Sequence, residues 1–248
     1  MRRPEYRLDD STGAKATLGL IVLAVDETIE MEVRRLLPMP SLAIHVSRVW
    51  SGADLTPETI AAMGKHLPQA TSLLPKAPHN NAIAYACTSG ATLLGPDRVA
   101  ELVRGVRTTD AVLDPMSAVI QDCKSLRVAN LGLVTPYTAD IARPVSEALA
   151  KVGIAVVSEA HFGEAIEANV ARISAQSIAE AARQVAKQGA DAVFLSCTNL
   201  RTLDLISSLE EELGVPVLSS NLCLARALGR AAGVDHVMPA YDGQIRPR

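Results

Sequence analysis

The sequence predicts an α/β protein of two pseudo-symmetric lobes, each a parallel sheet flanked by helices, with the active site in the cleft between them. Two observations carry that expectation. Short apolar, β-branched runs alternate with longer helical patterns along the chain. Strands apolar on both faces fit parallel sheets covered by helices. The pattern also restarts: Ile83-Ala-Tyr-Ala-Cys87-Thr88-Ser89 matches Val193-Phe-Leu-Ser-Cys197-Thr198-Asn199 at an offset of 110 residues, and Gly19-Leu-Ile-Val22 matches Gly132-Leu133-Val134 at a similar offset. An internal repeat on this scale reads as two similar units, although alternating α/β chains also match themselves by chance. The doubled Cys-Thr raises the match above chance.

In chain order, Leu18–Val25 reads as a buried strand and Asp26–Leu37 as a helix, with Thr28 as its cap and Pro38 and Pro40 ending it. Leu42–Val49 is a second strand. Thr56 caps a helix that Pro57 opens. Asn81–Ala86 is the third strand, Gly95–Val106 holds a helix, Asp110–Leu113 is a short strand and Pro115–Cys123 a helix. The second series runs Arg127–Val134 strand, Thr138–Val152 helix with Pro144 in its first turn, Ile154–Ser158 strand, and Ser174–Gln188 helix closed by Gly189. It ends with strand Ala192–Ser196, helix Thr202–Leu213, strand Val215–Leu218 and helix Asn221–Ala232. The expected division is 18–125 plus 219–237 for the first lobe and 126–218 for the second, with 238–248 as a tail.

Composition narrows the function. A chain of 248 residues with 48% hydrophobic and 21% charged residues is ordinary for a globular protein. A net charge of −3 and 3% aromatics argue against a nucleic-acid partner. No apolar run approaches the ~18–20 residues of a membrane helix, and Met1 to Lys15 lacks the apolar stretch of a secretory signal, so no membrane partner and a cytoplasmic location are expected. Four cysteines make no disulfide framework, and without CxxC, HxxxH or HExxH no metal site is expected.

Cys87 and Cys197 each fall just past the carboxyl end of a predicted strand, where open parallel sheets bind ligands. A helix starting there would add its positive end and backbone N–H groups, lowering a thiol's pKa and holding a carboxylate. Two such thiols on either side of a small acid could remove a proton from one face and return one to the other. Alternatively, one thiolate could attack a carbon while the other thiol acts as acid. Neither route needs a cofactor. The alternative for any cysteine is that it is a small core residue, which suits Cys123 and Cys223.

AYACTSG around Cys87 and LSCTNLRT around Cys197 resemble the aspartate/glutamate/hydantoin racemase superfamily. GLIVLAVDETIEME and LGLVTPYT resemble its branch of maleate cis–trans isomerases and ectoine-utilisation proteins. The resemblance spans roughly residues 18–237. It implies Cys87 and Cys197 as the catalytic pair and Thr88, Ser89, Thr198 and Asn199 as donors to a substrate carboxylate. It also implies Tyr137 as a substrate contact, a last helix packed on the first lobe, and a homo-oligomer. Arylmalonate decarboxylases share the fold but keep only the second cysteine, so two thiols point to racemase or isomerase chemistry.

The sequence departs from that branch at two places. Asp26 stands where the isomerases carry an Asn that contacts a substrate carboxylate, and Glu167 aligns loosely with a second such Asn, with Asn169 two residues away. Like charges about 4 Å apart repel even at an effective dielectric of about 20. Asp26 would therefore oppose a dicarboxylate and favour an ammonium group, as on an amino acid or on diaminobutyrate. The alternative is that Asp26 only caps the helix that follows. Arg201 either reaches a second carboxylate or is solvated, and His79 and His161 read as surface loop residues. Trp50 either closes the cleft or meets another subunit. A decarboxylase using Cys197 as proton donor, or a binding protein without chemistry, remain alternatives.

Overall fold

The computed structural model describes residues 3–9, 15–52 and 56–234. The expected tail 238–248, and residues 235–237, lie outside the described residues. Two four-stranded sheets form the frame, and all their strand pairs are parallel. The first contains β1 (Ala16–Leu23), β2 (Leu42–Val49), β3 (Asn80–Ala86) and β4 (Thr109–Leu113), in the order β2-β1-β3-β4. The second contains β5 (Asn130–Thr135), β6 (Ala155–His161), β7 (Ala192–Leu195) and β8 (Val217–Ser219), in the order β6-β5-β7-β8. The two orders are the same once β5 is equated with β1. In each sheet the chain runs outward in one direction and then in the other, so the crevice at the switch lies at the carboxyl ends of the two central strands.

The helices are α1 (Ile29–Leu36), α2 (Pro57–Ser72), α3 (Thr88–Leu94), α4 (Pro96–Arg104), α5 (Pro115–Leu126), α6 (Ala139–Lys151), α7 (Glu167–Val170), α8 (Ala175–Ala186), α9 (Leu203–Leu213) and α10 (Ser220–Ala231). Their starts follow local chemistry. Pro57, Pro96 and Pro115 occupy first helical positions, where a missing N–H costs nothing. Thr56 forms a capping box with Thr59, and Asp114, Ser174 and Ser219 each accept a backbone N–H from three residues on.

Several expectations are corrected. Thr28 makes no side-chain cap; Asp26 Oδ1 instead accepts the N–H groups of Thr28 and Ile29, at 2.8 and 2.9 Å. The predicted helix from Gly95 is preceded by α3, and Gly95 at φ 80° makes the break between the two. The predicted strand from Arg127 begins at Asn130, because Arg127 adopts the left-handed conformation that ends α5. Pro144 is the sixth residue of α6, past its first turn, and removes one internal hydrogen bond from that helix. His161 ends β6 instead of lying in a loop.

The core is continuous across both sheets. One apolar cluster joins Leu20, Ile21, Ile83 and Tyr85 of the first sheet to Val193 and Leu195 of the second. A second packs Met116, Val119 and Cys123 of α5 against Leu131, Leu133 and Phe194, with Cys223 and Ala227 of α10. Helix α10 packs on α1, β3, β4 and α5, so the last helix returns to the first sheet.

Candidate active site

Equivalent strand ends supply the site. Asp26 follows β1, Cys87 follows β3, Tyr137 follows β5 and Cys197 follows β7. Glu167 opens the short α7 beyond β6. All five side chains are buried.

Cys87 is the N-cap of α3: its backbone is extended and its sulfur accepts the Gly90 N–H at 3.2 Å, with the Ser89 hydroxyl 3.7 Å away. Cys197 differs from the expectation. No helix starts after it; residues 198–200 form a turn and α9 begins only at Leu203. Its sulfur accepts the Asn199 N–H at 3.3 Å, and the Tyr137 hydroxyl lies 2.8 Å away. The two cysteine turns meet at one atom. Ser220 Oγ accepts the Thr88 hydroxyl at 2.8 Å and the Cys197 N–H at 3.1 Å.

Asn199 ties the second turn to the rest of the site. Its carbonyl oxygen side accepts the Glu27 N–H at 2.8 Å, and its amide donates to Glu167 Oε1 at 3.2 Å. Asn221 donates to the Thr198 carbonyl at 2.9 Å and to Glu32 Oε2 at 2.8 Å, while Glu32 Oε1 accepts the N–H groups of Thr202 and Leu203. Thr198 itself reaches the Ala86 carbonyl at 3.4 Å. Residues of both sheets are thus joined by buried polar bonds.

The electrostatics correct the expected thiol activation. Burial pushes Cys87 up to about 11, more than the Gly90 N–H and Ser89 hydroxyl bring it down, and the Glu167 charge adds to the rise. Cys197 is raised well above the ordinary thiol range, by burial first and then by the Glu167 charge; the Tyr137 hydroxyl and Asn199 N–H oppose this. A positive helix end at Cys87 is outweighed by loss of water. Glu167 is itself pushed up to about 7 by burial, with the Asp26 charge adding and the Asn199 amide opposing. Asp26 is raised by burial, against the N–H groups of Ile29 and Thr28, the nearby Thr198 hydroxyl and the Arg48 charge.

The other candidates lie outside this cluster. Arg201 is exposed, as is Asn169, whereas its neighbour Glu167 points inward. His79 pairs with Asp110 and His161 with Glu159, each at 2.9 Å. Trp50 is 54% exposed and packs on the His66 ring at 5.1 Å. Cys123 and Cys223 are buried in the core, as expected. Sequence reasoning missed Ser220, Asn221, Glu32 and Tyr85. Ser220 stands just past β8, the same strand-end position that marked the cysteines. Glu32 shares a helix face with Ile29, Val33 and Leu36, an acid on an apolar stripe. Tyr85 precedes Cys87 by two residues, and its hydroxyl helps to lower that thiol's pKa.

Known proteins share this arrangement of sheets. The maleate isomerase of Nocardia farcinica is 26% identical over 241 residues, 92% of this chain and 95% of that protein. The arylmalonate decarboxylase of Bordetella bronchiseptica is 29% identical over 107 residues, 42% of this chain and 45% of its own. A solved structure of the Nocardia farcinica maleate cis–trans isomerase, a cysteine-to-serine variant with a covalently bound succinylcysteine intermediate, superposes with a TM-score of 0.83 at 24% identity, covering 94% of this chain and 99% of that one. Residues 50–245 match the family model described as arylmalonate decarboxylase, and the chain therefore belongs to the arylmalonate decarboxylase (Amdase) family.

Proposed function

We propose that the protein is a cofactor-independent isomerase or racemase that acts on a small carboxylate through Cys87 and Cys197. The observation that carries this reading is the meeting of the two cysteine turns at Ser220, which supports a shared role for one buried thiol from each sheet. The similarity to maleate isomerases over nearly the whole chain supports it.

Two balanced routes suit the pair. In a racemisation, one thiolate takes the α proton, the electron pair passes into the carboxylate as an enediolate, and the opposite thiol gives its proton to the other face. The second sulfur is then the thiolate. In a cis–trans isomerisation, one thiolate adds to an alkene carbon and the π pair moves to its neighbour, which the other thiol protonates. Rotation about the new single bond, loss of that proton and expulsion of the sulfur give the trans alkene. The succinylcysteine of the Nocardia farcinica enzyme is the adduct such an addition forms. In either case backbone donors of Thr88, Ser89 and Thr198 would hold the charged carboxylate, the Asn199 N–H being used by the Cys197 sulfur. Tyr137 serves Cys197, the phenol hydrogen bond stabilising the thiolate.

A second reading follows from the family match. A decarboxylase would lose carbon dioxide and protonate the carbanion from one face with Cys197 alone. Incubating the protein with a panel of small acids, including maleate, aspartate, glutamate, diaminobutyrate and a malonate, separates the two by proton NMR. Isomerisation or α-proton exchange lost in Cys87→Ala supports the two-thiol reading; loss of carbon dioxide retained in Cys87→Ala favours the decarboxylase.

The same proposal places the enzyme in the cytoplasm and as a homo-oligomer. All four cysteines are free, which suits a reducing compartment. Among the described residues no helix is long and apolar enough to cross a membrane.

A further inference from the structure

Two carboxylates in the site are left half-satisfied. Asp26 and Glu167 are 3% and 1% exposed. Asp26 spends Oδ1 on the N–H groups that start α1, and Glu167 spends Oε1 on the Asn199 amide. Glu167 Oε2 and Asp26 Oδ2 are buried and accept no well-formed hydrogen bond; the Thr198 hydroxyl, which bears on Asp26, donates to the Ala86 carbonyl instead. A buried carboxylate oxygen lacking a donor is costly, and a native fold retains one where something else supplies the donor.

Asn199 links both acids to a thiol: its Oδ1 accepts the Glu27 N–H beside Asp26, its amide donates to Glu167 Oε1, and its own N–H reaches the Cys197 sulfur. The Glu167 charge bears on Cys87, Cys197 and Tyr137, and the Asp26 charge on both Cys197 and Glu167. Among the described residues the cation that bears on the pair is Arg48, and it acts on Asp26. Its guanidinium is committed to the carbonyls of Leu23 and Asp26 at 3.0 and 2.9 Å, away from the free oxygens. The buried cluster is therefore acceptor-rich and acidic on the side formed by the residues after β1 and by α7.

We propose that Asp26 and Glu167 form an ammonium subsite, so that the substrate is an amino acid or diamino acid carrying a cationic nitrogen beside its carboxylate, and not a dicarboxylate. This rests on the two-thiol reading for the site's chemistry. An ammonium group brings three N–H donors, enough to serve both orphaned oxygens. A second substrate carboxylate in the same place would put a third negative charge among unpaired acceptors. The subsite also has a use in the reaction. Burial keeps both thiols in the neutral form and the Glu167 charge adds to it; a bound ammonium offsets that charge, so the substrate itself favours the thiolate that attacks it.

Isothermal titration of the full-length wild-type protein near pH 7.5 tests the subsite with two four-carbon acids, 2,4-diaminobutyrate and succinate. Succinate has no double bond and so is not consumed as an alkene. Diaminobutyrate is expected to bind at least about tenfold more tightly. Asp26→Asn, which keeps the Oδ1 cap of α1, and Glu167→Gln are each expected to shrink that preference by about tenfold, with Asp26→Asn leaving the melting temperature near the wild type's. Succinate binding as tightly as diaminobutyrate, neither acid binding below about 10 mM, or a preference unchanged in both variants would overturn the proposal. The binding ratio does not depend on turnover. Loss of activity in the cysteine variants judges the isomerase reading separately, and either can fail alone.

Discussion

The Tyr137 hydroxyl and the Cys197 sulfur lie 2.8 Å apart, brought from the ends of neighbouring strands β5 and β7 into a site closed to solvent. Their contact is the strongest local force lowering the Cys197 pKa against burial and the Glu167 charge. Tyr137→Phe keeps the ring and removes the hydroxyl. Turnover should fall about 10²-fold, the cost of losing one donor to a reacting anion. The alkaline rise of kcat/KM should move to higher pH, because the thiolate of Cys197 loses a stabilising donor. An unchanged pH profile would assign Tyr137 to packing alone.

Ser220 is the hinge pin between the cysteine turns. Ser220→Ala leaves the Thr88 hydroxyl and the Cys197 N–H without their buried acceptor. The expected loss is about 1–3 kcal/mol of stability, measured by denaturant unfolding. Turnover should fall as well, since both thiols lose their common anchor.

Glu167 makes stability depend on pH with a defined sign. Its folded pKa is raised from 4.5 to about 7. Between these values the native state holds a proton that the unfolded chain has released, so stability falls as pH rises through the window and is lowest above it. The contribution is at most about 3 kcal/mol. Melting curves of wild type and Glu167→Gln should be closest near pH 4 and diverge toward pH 8, with the variant relatively more stable at the higher pH. A constant difference across that range would show that the carboxyl is not held protonated by burial.

Gly90 marks where α3 must approach the thiol closely. A Cβ there would collide with the Tyr85 hydroxyl and press on the Cys87 sulfur at 3.0 Å. Gly90→Ala should lower both melting temperature and turnover, although alanine is the better helix former. A gain in stability with full activity would mean that the turn yields easily.

Much of this was legible in the sequence because parallel strands buried on both faces leave an unmistakable apolar run. Leu42–Val49 matches β2 at both ends, and the Cys-Thr repeat located the equivalent ends of β3 and β7. A helix after Cys87 was expected from the strand-end motif, but the bounds of α3 were hidden because Thr88-Ser-Gly-Ala carries no periodic polar face; those four residues are buried throughout. The turn after Cys197 was hidden by its likeness to the one after Cys87: the same Cys-Thr starts a helix in one place and not in the other. Asp26 and Glu167 could be singled out as acids in an apolar setting, but their unpaired oxygens come from long-range packing, with Asn199 lying 32 residues from Glu167. The direction of the thiol pKa was misjudged because a sequence shows nearby N–H groups and not the depth of burial that outweighs them.

In the proposed reaction one thiol from each sheet acts on the same substrate. The most direct test follows the acid that the panel identifies by proton NMR in deuterated water, with wild type, Cys87→Ser and Cys197→Ser side by side. The wild type should racemise or isomerise the acid, and each single variant should lose at least about 10³-fold in turnover while retaining its fold by circular dichroism. Near-wild-type turnover in either variant would contradict the two-thiol mechanism.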